Sequence, residues 1–366
     1  MKPNRTRHLL YALLILPVVA VAAALALIPA GSHALPNQSQ AQSDRVHLPV
    51  IPHGLMPTPP PTPPPAPYSA AATLTITPRT EINASTFNPS SFIVANESLN
   101  GERLTELRID LSTALFPDMV FDPHGQAGDV VAKDVEVDRI SGVSFDHAYE
   151  GPHDDGYDVL VLTFGGFDRN DRFEFSVDVD PTSIRGVAAP GPHETGSVGG
   201  LELVGSTITA TFDDGTVLTN QVYRMDDGGS AGSAHSGAVA HLRPGLPGRP
   251  LIEIPGVVAP AAVSQPGQTV RVSGPVGRPV VVLVVEGGLF TAGVPGGGFD
   301  IDPFEANTAL TVREYSGVIG PAGVADVPVT LTRVLGEGGI NHITAVFDNH
   351  YGIKGLTAEP LVLQLQ

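Results

Sequence analysis

The sequence predicts an all-β protein: two β-sandwich domains, the first jelly-roll-like and the second Ig-like, behind an N-terminal apolar helix and a proline-rich stalk. Three observations predict this. Apolar and polar residues alternate with period two through much of the chain after Ala72, the pattern of strands with one buried and one wet face. Gly contributes 41 and Pro 35 of the 366 residues, a composition that supplies turns and disfavours helices. The alternating region is preceded by an uncharged apolar run and then by a proline tract, and such a tract cannot pair as a central strand.

The N-terminus sets the address. Lys2, Arg5 and Arg7 precede Leu9–Ala30, 22 residues without a charge. A basic region before an apolar run is an export signal. Small residues at Ser32 and Ala34, and at Ser39 and Ala41, offer cleavage sites. The run is also long enough to cross a bilayer, which takes about 20 apolar residues. Residues 1–34 are therefore read as a signal peptide or a membrane anchor, with membrane contact only through residues 9–30 if they stay uncleaved. Either way the rest is expected to be extracytoplasmic, secreted or held at the cell surface.

Residues 35–71 read as a disordered, proline-rich stalk. Ten of the twenty residues Leu48–Pro67 are proline. Such a tract adopts extended polyproline II at about 3.1 Å per residue, so it would hold the later residues away from the membrane or wall.

Residues 72–225 form the first sandwich. Leu107, Ile109 and Leu111 alternate with Glu106, Arg108 and Asp110. Phe173, Phe175, Val177 and Val179 alternate with Glu174, Ser176 and Asp178. Ile208, Ala210 and Phe212 alternate with threonines, and Asp213-Asp214-Gly215 closes a hairpin. About nine strands are expected here, at sandwich or jelly-roll spacing. Residues 226–249 read as a flexible Gly/Ser/Ala linker. Its Gly228–Gly232 matches G-x-S-x-G but lacks the strand and helix that a nucleophile elbow requires. Residues 250–366 form the second sandwich of about seven strands, with Val280–Val285 as a buried one.

Short stretches carry a resemblance. Met119–Pro123, Phe175–Thr182 and Gly196–Leu203 resemble a module of bacterial exported cell-surface proteins, and Val294–Pro303 resembles the tail module of the same proteins. Such modules often stand beside malectin-like carbohydrate-binding domains, although no malectin-like domain is recognisable in this chain. The resemblance implies a surface-exposed, non-catalytic architecture and brings no catalytic residues.

Charge excludes some functions and suggests others. With 38 acidic and 20 basic residues the net charge is −18, which is unsuited to nucleic acid. Cysteine is absent, which removes thiol catalysis, thiolate metal sites and disulfides. Residues 72–225 hold 25 acids and 9 bases. The densest stretch, Asp146–Asp158, is read as a loop between two strands, with Tyr149, His153, Asp154, Asp155 and Tyr157 as candidate ligand-binding residues. There the rings would stack on a sugar while carboxylates accept its hydroxyls. A solvated acidic loop is the plain alternative. Asp168, Asn170, Asp171, Asp178, Asp180 and Glu194 are candidate metal ligands, with calcium as the cofactor they would suit, because that ion takes six to eight oxygens. A turn using Asp and Asn for local hydrogen bonds is the alternative there. His147, His153 and His193 do not meet familiar zinc spacing.

The function expected is an exported, surface-displayed, non-catalytic β protein for adhesion, ligand binding or spacing. The alternative is a glycan-binding module or a component of a carbohydrate-active enzyme. Expected partners are an extracellular glycan or a cell-surface protein.

Overall fold

The computed structural model describes residues 70–78, 85–116, 118–182, 185, 198–225, 237–286, 312–333, 339–349 and 352–366. The apolar run, the stalk up to residue 69, Glu194 and the Val294–Pro303 stretch lie outside them. The described residues are all-β, apart from a 3₁₀ turn at Leu111–Thr113. No helix among them is long and apolar enough to cross a membrane.

The first sandwich has two sheets. One contains β1 (Ala72–Ile76), β2 (Phe92–Asn96), β5 (Glu136–Ile140), β8 (Arg172–Ser176), β12 (Tyr223–Arg224) and β13 (Ala238–Leu242), in the spatial order β12-β13-β1-β2-β8-β5. The other contains β3 (Leu104–Asp110), β4 (Met119–Phe121), β6 (Ser144–His153), β7 (Gly156–Phe167), β9 (Val179–Pro181), β10 (Thr207–Phe212) and β11 (Val217–Gln221). Its order is β11-β10-β3-β7-β4-β9, with β6 also paired to β7. The inward residues of both sheets meet in one core. Phe92 and Phe175 stack with centroids 4.8 Å apart, and Phe121, Phe167, Phe173 and Phe212 are buried around them. Among the described residues of 72–225 there are twelve strands rather than about nine. Strands β4, β9 and β12 are two or three residues long, too short for alternation to reveal.

The second sandwich packs β14 (Leu251–Glu253), β16 (Gly267–Ser273) and β19 (Val324–Thr330) against a five-stranded sheet. That sheet runs β15-β21-β20-β17-β18, built from β15 (Ala261–Val263), β17 (Pro279–Glu286), β18 (Val312–Val318), β20 (Ile340–Phe347) and β21 (Leu361–Leu365). β15 joins the last strand in parallel, whereas the other pairs are antiparallel. Among the described strands, chain order and sheet membership follow the immunoglobulin plan, with β14, β16 and β19 opposite β20, β21 and their partners. Eight strands are described where about seven were expected.

Two features differ from the sequence reading. The stretch 226–249 is not linker throughout: Ala238–Leu242 forms β13, paired in full register with β1 from Ala72↔Leu242 to Ile76↔Ala238. Its inward positions are Ala238, Ala240 and Leu242, and two alanines give little hydrophobic signal in sequence. The sandwiches are also joined. Leu283 and Val285 of β17 and Val346 of β20 belong to the core of the first sandwich, while Val280, Val282, Val284, Ile343 and Ala345 line the core of the second. Strand β17 is apolar on both faces because both are covered. Phe116 packs on His342 at 4.6 Å. The Gln221 Oε1 accepts from the Thr357 N–H at 2.8 Å and from its hydroxyl at 2.9 Å, and the Tyr223 hydroxyl donates to Glu314 at 3.1 Å.

Candidate functional site

The stretch Asp146–Asp158 is a hairpin, not a loop between strands. Strand β6 runs through His153, β7 begins at Gly156, and Pro152↔Tyr157 and His153↔Gly156 are in register. Asp154 and Asp155 form the two-residue turn with φ of 46° and 68°. Both are left-handed, as a type I′ hairpin turn requires and as Asp tolerates better than most residues. The sequence hid this turn because neither position is Gly or Asn.

The hairpin gives each expected ligand-binding residue a local partner. Tyr149 and Tyr157 lie across the β6–β7 pair on the core-facing side. Their rings stack on one another at 5.2 Å and pack against the core. The Tyr149 hydroxyl donates to Asp134 at 2.9 Å, and His147 Nε2 lies 3.0 Å from the same oxygen. Burial first, then the Asp134 hydrogen bond, raises the Tyr149 pKa. Burial would raise that of Asp134, but its bonds from Tyr149, the Val135 amide and His147 outweigh this and hold it below the usual range. His153 Nδ1 lies 2.8 Å from Asp158, Asp154 lies 3.8 Å from His153 Nε2, and Asp155 pairs with Arg185. The two tyrosines thus use a ring face on each other, and the charged groups at the tip are engaged locally.

The expected metal ligands separate into two places. Asp168, Asn170 and Asp171 make the turn before β8. Asp168 pairs with Arg103 at 2.5 Å, Asp171 Oδ2 accepts the Asp168 N–H at 2.9 Å, and Asn170 has φ of 68°. This is the local turn chemistry of Asp and Asn. Asp178 and Asp180 lie beyond the far end of β8. At about 3.3 Å per strand residue they are roughly 20 Å from that turn, too far to share an ion with it.

The sequence reading placed Asp178 and Asp180 on a wet face, and this is corrected. They are only 4% and 1% exposed. The loop after β4 folds over them, and β4 pairs with β9 so that Val120 faces Asp180. Asp122 begins that loop and organises it: its Oδ1 accepts the N–H groups of His124 and Gln126, and its Oδ2 those of Ala127 and Gly128, at 2.7–3.3 Å. Gly128 then passes so close to β9 that a Cβ there would overlap the Asp180 side chain. The next residue, Asp129, donates its N–H to Asp180 Oδ2 at 3.1 Å.

The result is a carboxylate cluster. Asp129, Asp178 and Asp180 each offer an oxygen within 4.8 Å of the others. Burial first, then the charges of Asp129 and Asp122, push the Asp178 pKa up to about 8, with Lys133 pulling the other way. Burial first, then Asp178 and Asp129, push Asp180 up to about 9. Asp178 Oδ2 is buried without a hydrogen-bond partner. Sequence reasoning found Asp178 and Asp180 but missed Asp129 and the organising Asp122. A signal was present: Asp122-Pro123 and Asp180-Pro181 repeat the same dipeptide within two of the stretches that carry the resemblance, and these stretches contain β4 and β9.

No protein-family profile and no curated protein matches this chain. Among solved structures it is similar over 81% of its length to the crystal structure of a "Putative membrane anchored protein" from Corynebacterium diphtheriae, at 10% identity and a TM-score of 0.21. The chain spans 58% of that protein.

Proposed function

We propose that this is an exported, non-catalytic β protein that presents or spaces a binding surface at the cell exterior. The observation that carries this reading is the joint between the sandwiches. Leu283, Val285 and Val346 of the second close the core of the first, so the two sandwiches belong to one compact unit rather than to two tethered ones. A proline-rich sequence ahead of a single compact unit suits display. The burial of the clustered acids supports a non-catalytic role for that cluster. Asp122, Asp178 and Asp180 are at most 4% exposed, whereas a glycosidase needs two carboxyl groups on either side of a sugar ring.

Protease treatment of intact cells tests the reading. Digestion of the folded part from outside, without lysis, is expected. Protection until lysis would sink it, and so would polysaccharide turnover abolished by Asp178→Asn or Asp180→Asn.

A further inference from the structure

We propose that Asp129, Asp178 and Asp180 bind one calcium ion between strand β9 and the loop after β4. This goes beyond the display reading and stands independently of it.

The spacing is the first argument. Oxygens bound to one calcium lie about 2.3–2.6 Å from it, so two of them can be no more than about 5 Å apart. The three carboxylates meet that limit, with ligand atoms within 4.8 Å of one another. They come from two segments that the fold brings together, the loop and β9, and the loop is clamped there by the close approach of Gly128 to Asp180.

The second argument is the orphaned oxygen. Asp178 is 4% exposed, and its Oδ2 has no hydrogen-bond donor. A buried carboxylate oxygen without a donor is costly. Protonation relieves this crowding in the metal-free protein, but once ionised the three carboxylates accept and do not donate. A cation satisfies all three acids at once. Lys133 is the nearby basic group, but its ammonium already serves the Phe87 carbonyl and Glu136, each at 2.9 Å. Asp122 is not counted as a ligand, because its two oxygens accept four backbone N–H groups. It positions the loop that carries Asp129.

The donor set selects the ion. All three donors are carboxylate oxygens, which suit a hard cation, whereas zinc favours nitrogen and sulfur. Calcium accepts irregular geometry and mono- or bidentate carboxylates, with backbone carbonyls and water completing six to eight oxygens. Magnesium requires a near-ideal octahedron at about 2.0–2.1 Å and keeps several waters, which a cluster with two acids this deeply buried accommodates poorly.

The test uses the full chain, freed of metal with a chelator. Isothermal titration with calcium chloride should give one site per chain, with a dissociation constant of about 10⁻⁴–10⁻³ M, as in extracellular modules. At tenfold excess over that constant the melting midpoint of the joined sandwiches should rise by about 2 °C. Sodium chloride at matched ionic strength should give less, because screening is not coordination. Asp129→Asn and Asp178→Asn should each abolish the calcium-specific shift, while Asp168→Asn, in the other acidic turn, should retain it. If Asp178→Asn does not fold, Asp129→Asn decides, because Asp129 lies on the loop and is only half-buried. Absence of a saturable calcium site, or binding unchanged in Asp129→Asn, overturns the proposal. Tighter binding of magnesium than of calcium overturns the choice of ion.

Discussion

At the residue scale, two positions hold the acidic site together by different physics. Asp122 is a backbone acceptor. Truncation in Asp122→Ala would leave the N–H groups of Ala127 and Gly128, both buried, and those of the more exposed His124 and Gln126 without their acceptor. A buried unpaired donor costs about 1–3 kcal/mol, and water rescues the exposed ones, so a loss of about 3–4 kcal/mol is expected. Urea denaturation measures it; a loss below about 1 kcal/mol would mean that the loop is held elsewhere. Gly128 acts by close approach. In Gly128→Ala the new methyl would overlap Asp180, and overpacking of this kind costs about 1–3 kcal/mol. The same variant should weaken calcium binding by lifting Asp129 away from β9. Retention of both stability and binding would show that the loop can shift freely.

His342 makes the third residue-scale prediction, this one for pH. Burial lowers its pKa to about 4, against a smaller opposing effect of the hydrogen bond with the Leu115 backbone. Its folded pKa lies below the unfolded value of about 6.5. Between those values the unfolded chain holds the proton and the folded chain does not, so stability is full above about pH 6.5 and falls as pH drops toward 4. The loss approaches about 3 kcal/mol on the acid side. Asp178 and Asp180 act in the opposite sense, because their raised values remove stability as pH rises toward 8 and 9. Subtraction of the profile of His342→Gln therefore isolates the histidine. Identical slopes for the two proteins from about pH 6.5 to 4.5 would refute the assignment.

At the element scale, β13 and the β6–β7 hairpin are the informative cases. Both are strands whose sequences look like something else. β13 shows the core two alanines and one leucine, and it holds its place by pairing with β1 from Ala72 to Ile76 and with β12 at Tyr223 and Arg224. It therefore completes a sheet whose central strands, β1 and β2, come from the start of the domain. Ala240→Asp puts an unpaired charge at a fully buried position of this strand. It should destabilise by more than about 3 kcal/mol or prevent folding; a true linker residue would tolerate the change. In the hairpin, alternation is visible in retrospect as Phe145, His147 and Tyr149 facing inward across from Phe164, Leu162 and Leu160. The inward histidine and the abundant acids obscured it. Strands β3 and β10, by contrast, alternate cleanly in sequence and lie where the pattern places them, whereas the alternation read from Phe173 to Val179 as one strand is split between β8 and β9, which belong to different sheets.

At the scale of the whole molecule, the two sandwiches stand or fall together. Separation of 250–366 exposes Leu283, Val285 and Val346, which are buried against the first sandwich. Separation of 72–225 removes β13 as well. Each fragment alone is expected to aggregate or to bind a hydrophobic dye, whereas co-expression of 70–249 with 250–366 should yield a soluble complex. Cooperative, reversible unfolding of 250–366 by itself would overturn this. The expectation of two separable domains rested on the Gly/Ser/Ala composition after Met225. Composition reports the flexibility of a segment and not what the strands beyond it touch.

The sequence by itself determined the fold class, the acidity and the absence of thiol chemistry, and it carries the expectation of export. These follow from local periodicity, composition and charge, which need no knowledge of neighbours. It also marked Asp178 and Asp180 as members of an acidic group. Only the tertiary structure decided that they are buried, that Asp129 joins them and that Asp168, Asn170 and Asp171 do not. Period-two alternation says which residues share a face, but whether that face is wet depends on what covers it. Here a loop that starts at Asp122, 56 residues before Asp178, and that Gly128 admits, closes over a face that the strand pattern alone assigns to water.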